Sequence, residues 1–166
     1  MERQVKVFLL LGGFWGFDGY ITSLGMVLLG GMLRDAGFDV ETYQWAHWEK
    51  CGLDIKVQKA MGRKTALIGY SGGGSRATWI ANARPAPEID LLVAYDPSPS
   101  WQMMDIGKNV KKAICYWNRT PFFFGLGGGR LEGDTIIQTI PIRENHVFVQ
   151  SDMNLHEKTL QALGAL

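Results

Sequence analysis

The sequence contains few of the residues that mark disulfide-rich, metal-binding or nucleic-acid-binding proteins. Cysteine occurs only twice in 166 residues, and neither Cys51, in a polar segment, nor Cys115, in an apolar run, fits a disulfide framework or a zinc-ligand pattern. Charge of one sign is also lacking, because 17 Lys and Arg residues are balanced by 16 Asp and Glu residues. This balance gives no basic surface for nucleic acid or an anionic membrane. We therefore expect a small or neutral molecule as the partner.

Long apolar runs are absent as well, and the longest falls far short of the roughly 20 residues that a membrane-spanning helix needs. We therefore expect no integral membrane association. Near the N-terminus, Arg3 and Lys6 precede the apolar run Val7–Leu11, as in a signal peptide, but Gly12-Gly13 follows in place of a cleavage site. We interpret this run as the first core strand of a soluble, cytoplasmic protein, with a removed signal and secretion as the alternative. The length predicts one domain, over residues 1–166.

Strand and helix patterns alternate along the whole chain. Apolar runs or apolar–polar alternation predict six strands, at Gln4–Leu11, Phe38–Trp45, a run through Ala66–Ile68, Ile89–Asp96, Val110–Trp117 and Thr135–Ile142. Helical spacing predicts helices at Ile21–Ala36, capped by Gly37, and at Asp54–Met61, Ser75–Ala83 and Asp152–Leu163, with a helical turn near Met103–Asn109. This alternation predicts an α/β fold, a three-layer α/β/α sandwich with a mostly parallel sheet of about five to six strands.

The glycine-rich stretch after the third predicted strand has the pattern of a catalytic turn. Gly69-Tyr70-Ser71-Gly72-Gly73 fits G-x-S-x-G, in which a serine occupies a sharp strand-to-helix turn and the glycines let strand and helix approach closely. The serine hydroxyl would then be exposed above the sheet. Since a helix begins after Ser71, its backbone N–H groups and dipole point toward any oxyanion that forms there.

A serine nucleophile needs a base, and the base needs a carboxylate that fixes its tautomer. In an open parallel sheet, ligands bind beyond the carboxyl ends of the strands, so these groups are expected just after strands. Asp96 ends the fourth predicted strand, and His146 follows the last one. We predict Ser71, His146 and Asp96 as catalytic residues, with Asp134 as the alternative acid and His156 as the alternative base.

These motifs resemble the α/β-hydrolase superfamily in its small, cap-less form, as in cutinases and compact lipases and esterases. The resemblance rests on the Gly69–Gly73 elbow, on Gly12-Gly13 after the first strand and on the order of serine, acid and histidine. One feature departs from the family: most members place the acid after the next strand, whereas some lipases use an earlier Asp-Pro, which Asp96-Pro97 resembles. The resemblance implies a carboxylic ester hydrolase of the esterase or lipase type, acting through an acyl-enzyme without metal or organic cofactor.

The family pattern also implies an oxyanion hole and a binding site for the substrate. The hole would be formed by backbone N–H groups of Gly72 and of Gly13 or Phe14. Exposed aromatic side chains near a site favour an apolar acyl group or an aromatic leaving group. The predicted substrate contacts are Trp15, Tyr70, Trp101 and Phe122. The partner is thus a small or lipid-like ester, while acyl length, and the choice between ester, thioester and amide, stay open, as does the oligomeric state.

Two other functions compete with hydrolysis. Gly69–Gly74 could be a phosphate-binding loop, with Asp96 as a magnesium-binding aspartate after an apolar strand. A P-loop, however, requires Lys and then Ser or Thr after its last glycine, and Ser75-Arg76 stands there instead. The third possibility is a non-catalytic binding module with an α/β-hydrolase-like fold.

Overall fold

A computed structural model describes residues 5–13, 18–99, 104–120 and 126–166. The strands in these ranges are β1 (Val5–Leu10), β2 (Asp39–Tyr43), β3 (Lys64–Tyr70), β4 (Leu91–Tyr95), β5 (Asp105–Ile106), β6 (Lys112–Asn118), β7 (Glu132–Gly133) and β8 (Ile136–Ile142). The helices are α1 (Gly19–Thr22), α2 (Leu24–Asp35), α3 (Trp48–Ala60), α4 (Gly72–Ala81), α5 (His146–Val149) and α6 (Met153–Gly164), with a 3₁₀ turn at Trp45–His47.

Six of the strands form one parallel sheet in the order β2-β1-β3-β4-β6-β8, which confirms the predicted sheet and places β2 at an edge. The remaining two, β5 and β7, pair with each other in a small parallel ladder. Tyr70 and Tyr95, the last residues of β3 and β4, are direct neighbours in the register. The residues that follow these two central strands, Ser71 and Asp96, are therefore brought to the same edge of the sheet.

Alternate residues of the strands enter two cores, one on each face of the sheet. In β1, Val7 and Leu9 face the core that α2, α5 and α6 cover. Phe8 and Leu10 face the opposite core, which α3 and α4 cover. The inner strands β1, β3, β4 and β6 are thus buried on both sides, which explains their nearly continuous apolar sequences, whereas the edge strands β2 and β8 are more exposed. The predicted α/β/α sandwich is confirmed.

Several predicted boundaries are wrong in informative ways. The helix predicted over Ile21–Ala36 is two helices, because the hydroxyl of Ser23 donates to the carbonyl of Gly12 at 2.9 Å and the chain breaks there. The helical turn predicted near Met103–Asn109 is wrong in its described part, where β5 pairs with β7. The helix predicted over Asp54–Met61 begins earlier, at Trp48.

The end of α2 follows the predicted glycine cap. Gly37 has a φ of +83°, its N–H donates to Arg34 O at 2.8 Å, and the N–H of Phe38 donates to Leu33 O at 3.0 Å. This pair of bonds is the Schellman motif, which favours glycine at its left-handed position. In the ranges that the structure describes, no helix combines the length and the apolar character needed to cross a membrane.

Candidate active site

Ser71 is the single residue between β3 and α4. Its φ of +53° and ψ of −119° lie in a region that residues with side chains rarely occupy. A Cβ on Gly69 would approach Gly73 O to 2.5 Å, and one on Gly73 would lie 2.5 Å from Leu10 O. Strand and helix therefore meet through their backbones, and the glycines make this sharp turn possible.

Ser71, His146 and Asp96 form one hydrogen-bonded chain. Ser71 Oγ lies 2.9 Å from His146 Nε2, and His146 Nδ1 lies 2.7 Å from Asp96 Oδ2. All three residues are buried, with Asp96 completely inaccessible. A carboxylate oxygen can only accept, so Nδ1 carries the proton and Nε2 is free to accept from the serine hydroxyl. This is the arrangement in which a histidine can remove the proton of a serine.

The Asp96 carboxylate is held by two backbone donors besides His146. Its Oδ1 accepts from the N–H of Gly128 at 2.8 Å and from the N–H of Asn118 at 3.2 Å. The residue itself has a φ of +39°, and its own N–H donates to Tyr116 O at 2.7 Å, which anchors it to β6. These bonds fix the orientation of the carboxylate toward His146.

His146 begins α5 instead of lying in a loop, and Asn145 caps this helix by accepting from the N–H of Val147 at 3.0 Å. Tyr70 holds His146 in place through two contacts. Its hydroxyl donates to His146 O at 2.9 Å, and the two rings stack with centroids 5.2 Å apart. Burial, and secondarily the nearby charge of Asp96, raises the pKa of Tyr70. Tyr70 therefore remains a neutral phenol that donates this bond.

The predicted oxyanion donors are only partly described. Gly72 is the first residue of α4, a position whose N–H has no acceptor within the helix. Gly13 lies against it, because a Cβ on Gly72 would come within 2.5 Å of Gly13 O. The other predicted donor, Phe14, lies outside the described residues.

No protein-family model and no curated protein matches the chain. Solved structures do match it. One comes from work on LipS and LipT, two metagenome-derived lipolytic enzymes, with a TM-score of 0.67 at 12% identity, covering 99% of this chain and 95% of that one. A second is XC6422 from Xanthomonas campestris, described as an α/β serine hydrolase without lid, with a TM-score of 0.63 at 12% identity over 98% of this chain and 82% of the other. The chain has the α/β-hydrolase fold.

A third match to this fold is RedJ, solved with a PEG molecule bound in the active site, with a TM-score of 0.61 at 11% identity. It covers 96% of this chain and 89% of that chain. The resemblance inferred from the elbow and from the strand order is thereby confirmed at the level of the fold. At such low identity the likeness does not extend to activity or substrate.

Within this α/β-hydrolase fold, a pocket of about 440 Å³ opens beside Ser71 and His146. Both residues line it, together with Gly12, Gly13, Ile21, Thr22, Leu24, Tyr70, Leu126, Val147, Phe148, Gln150 and Ser151. Most of its wall is apolar. Ile21, Leu24 and Phe148 are each more than half exposed, so the mouth of the pocket is apolar as well.

The two alternatives for acid and base lie elsewhere in the fold. Asp134 is exposed and joins the sheet ladder through its own N–H, which donates to Ile106 O at 3.1 Å. His156 is completely buried in α6, and its Nε2 lies 2.7 Å from Gln150 O. Ser71 thus bonds to His146 and not to His156, and His146 bonds to Asp96 and not to Asp134, in agreement with the preferred assignment.

Of the predicted substrate contacts, only Tyr70 falls within the described residues, where it lines the pocket from a nearly buried position. Trp15, Trp101 and Phe122 lie outside them. The sequence analysis did not predict that Leu24 and Leu126 form an aliphatic wall of the pocket. The only signal in the sequence was the apolar run in which each of these residues lies. Among the described residues, no cluster of three or more His, Cys, Asp or Glu side chains could hold a metal ion.

Proposed function

We propose that the protein is a serine hydrolase that cleaves carboxylic esters through an acyl-enzyme, with Ser71 as nucleophile, His146 as base and Asp96 as the acid that orients it. The observation that carries the proposal is the pair of distances, 2.9 Å from Ser71 Oγ to His146 Nε2 and 2.7 Å from His146 Nδ1 to Asp96 Oδ2. The fold shared with lipolytic and serine hydrolases supports the same chemistry.

In the acylation step, Ser71 Oγ attacks the carbonyl carbon of the ester while His146 Nε2 takes its proton. The carbonyl oxygen becomes an oxyanion, which the N–H of Gly72 and a second amide near Gly13 would bind. His146 then gives the proton to the leaving alkoxide, the ester C–O bond breaks, and an alcohol departs. The acyl group stays on Ser71.

Deacylation repeats these steps with water as the nucleophile. His146 Nε2 removes a proton from water, which attacks the acyl carbon and forms a second oxyanion in the same place. His146 returns the proton to Ser71 Oγ as the acyl–oxygen bond breaks. Asp96 remains ionised throughout and stabilises the imidazolium that forms twice in each turnover.

The pocket favours an aliphatic acyl group. Its volume of about 440 Å³ and its lining by Ile21, Leu24, Leu126, Val147 and Phe148 give apolar surface against which methylene groups can be buried. Each buried methylene contributes about 0.8 kcal/mol. We therefore expect kcat/KM to increase with acyl length until the pocket is filled.

The test combines a fluorophosphonate probe with a series of p-nitrophenyl esters from acetate to laurate. Wild-type protein should be labelled once, on the peptide that contains Ser71, and should hydrolyse the esters. Ser71→Ala should lose both properties, whereas Ser75→Ala, which removes a hydroxyl one helical turn away, should still be labelled. Turnover or labelling that persists in Ser71→Ala would remove the proposal, and tight ATP or GTP binding without esterase activity would favour the phosphate-binding alternative.

A further inference from the structure

The glycines at 127–129, which follow β6 in the chain, pass directly over the proposed catalytic residues Asp96 and His146. We call the segment Gly127–Gly129 the glycine strap. Gly127 and Gly128 have φ values of +73° and +79°. Two successive left-handed residues are strongly disfavoured for residues with a side chain, so this path of the chain requires glycine.

Three successive amides of the glycine strap donate to the segment that contains the acid. The N–H of Gly127 donates to Ser98 Oγ at 3.2 Å and that of Gly128 to Asp96 Oδ1 at 2.8 Å. The N–H of Gly129 donates to Pro97 O at 2.8 Å. The strap is thus fastened to three consecutive residues, and one of these bonds holds the carboxylate itself.

The opposite side of the strap is anchored to β6. Trp117 Nε1 donates to Gly128 O at 3.0 Å, and the thiol of Cys115 lies 3.8 Å from Gly129 O. Since the strap is bonded on both sides, its position relative to Asp96 is determined by the sheet.

Gly127 lies directly against the hydrogen bond between acid and base. A Cβ added to this residue would overlap both Asp96 Oδ2 and His146 Nδ1. Gly127 thus packs against this side of the bond, and Asp96 and His146 are both buried, Asp96 completely. The bond is therefore dry on this side, and a low local dielectric strengthens a charge-assisted hydrogen bond.

The strap also reaches the nucleophile through Ser98. Ser98 Oγ accepts from Gly127 N–H and lies 3.3 Å from Ser71 Oγ. Its N–H donates to Ser71 O at 3.1 Å. The hydroxyl proton of Ser71 is directed to His146, so Ser71 Oγ can accept a hydrogen bond. The single hydroxyl proton of Ser98 is then available to donate to Ser71 Oγ.

We propose that the glycine strap and Ser98 are positioning elements that hold Asp96, His146 and Ser71 in alignment and shield the Asp96–His146 bond from water. The catalytic consequence rests on the proposed function, whereas the shielding does not. Gly127 is the central residue, because it lies against both partners of the bond.

Gly127→Ala tests the strap, with Gly62→Ala as its matched control. Gly62 has a similar φ of +79°, but an added Cβ meets nothing within 4 Å. Both variants therefore introduce the same backbone strain, and only Gly127→Ala displaces the acid and the base. We expect Gly127→Ala to lower kcat/KM by at least about 10²-fold, the effect of a displacement of about 1 Å in a catalytic group. Gly62→Ala should remain near wild type.

A spectroscopic measurement separates positioning from general stability. In ¹⁵N-histidine-labelled protein, the proton on His146 Nδ1 should give a downfield NMR signal with slow solvent exchange. It should persist in Gly62→Ala and be lost, or exchange much faster, in Gly127→Ala at the same folded fraction. A slow, unchanged signal in folded Gly127→Ala would overturn the proposal.

Ser98 gives a second test should Gly127→Ala not fold. Ser98→Ala leaves the Gly127 N–H without its acceptor and should lower kcat/KM about tenfold, as expected for one hydrogen bond. Ser98→Thr retains the hydroxyl and should restore most of the loss, and equal losses in both variants would contradict the role of Ser98. If the signal behaves as expected but no ester is hydrolysed, the proposed function fails and the shielding stands.

Discussion

His146 and His156 are both buried, but their ring nitrogens meet different partners. His146 bonds to a carboxylate through Nδ1 and to a serine through Nε2, and it borders the pocket. His156 bonds to the carbonyl of Gln150 through Nε2, and its ring packs edge-on against Tyr95. Its Nδ1 has no hydrogen-bond partner among the residues that the structure describes. Burial alone therefore does not identify a catalytic base. The paired carboxylate and the access to a pocket distinguish the two.

The environment of His156 favours its neutral form. Burial lowers the pKa of this histidine, against a smaller opposing effect of the bond to Gln150 O and the charge of Asp152. A proton added at Nδ1 would place a charge where the described part of the chain offers no acceptor. His146 instead faces Asp96, which can stabilise an imidazolium during turnover.

The largest effect should come from making the same substitution at both histidines. His146→Gln removes the proposed base, and we expect it to lower kcat by about 10⁴- to 10⁶-fold, as happens when a serine hydrolase loses a triad member. His156→Gln keeps an N–H that can donate to Gln150 O and should leave kcat/KM near the wild-type value at pH 8. The measurement is ester hydrolysis at saturating and limiting substrate. Similar losses in both variants would show that activity reports stability and not the identity of the base.

The two candidate acids permit the same comparison. Asp96→Asn preserves the size of the side chain but removes the carboxylate that fixes the histidine tautomer, so kcat should fall by about 10³- to 10⁴-fold. Asp134→Asn changes an exposed side chain, while the bond from the backbone N–H of Asp134 to Ile106 O is retained. This variant should therefore behave as wild type. Steady-state kinetics on p-nitrophenyl butyrate decide between them. A larger loss in Asp134→Asn would transfer the role of the acid.

The sequence contained enough to predict the parts of the site that depend on local backbone geometry. The elbow around Ser71 could be predicted because the G-x-S-x-G pattern lies between an apolar strand and a helical segment, where glycines let strand and helix approach closely. Asp96 could be predicted because Pro97 ends a buried strand after it. The mostly parallel sheet could be predicted from the alternation of strands with helices.

Other features depend on contacts between distant segments, which no local pattern specifies. The break at Ser23 depends on the carbonyl of Gly12, an acceptor from another element. The contact of Gly127 with Asp96 and His146 also joins residues far apart in the sequence, so no local pattern predicts it. The pairing of Ile106 with Gly133 likewise overrode the helical turn predicted there.

The smallest effect we expect is the contribution of His156 to the pH dependence of stability. Because burial lowers the pKa of His156 in the folded protein, the unfolded chain, with an ordinary histidine pKa of about 6.5, takes up the proton first as pH falls. The unfolded state then binds more protons than the folded state, so the free energy of unfolding decreases below about pH 6.5 and recovers above it.

Urea unfolding at pH 8 and pH 5, for wild type and His156→Gln, measures this contribution. Glutamine has no proton to gain, so the variant should lose less stability between the two pH values than wild type does. Any loss common to both proteins belongs to other groups, and the difference isolates His156. Equal losses would mean that the imidazolium of His156 is accommodated in the fold, and the contrast between the two histidines would then rest on the Asp96 carboxylate alone.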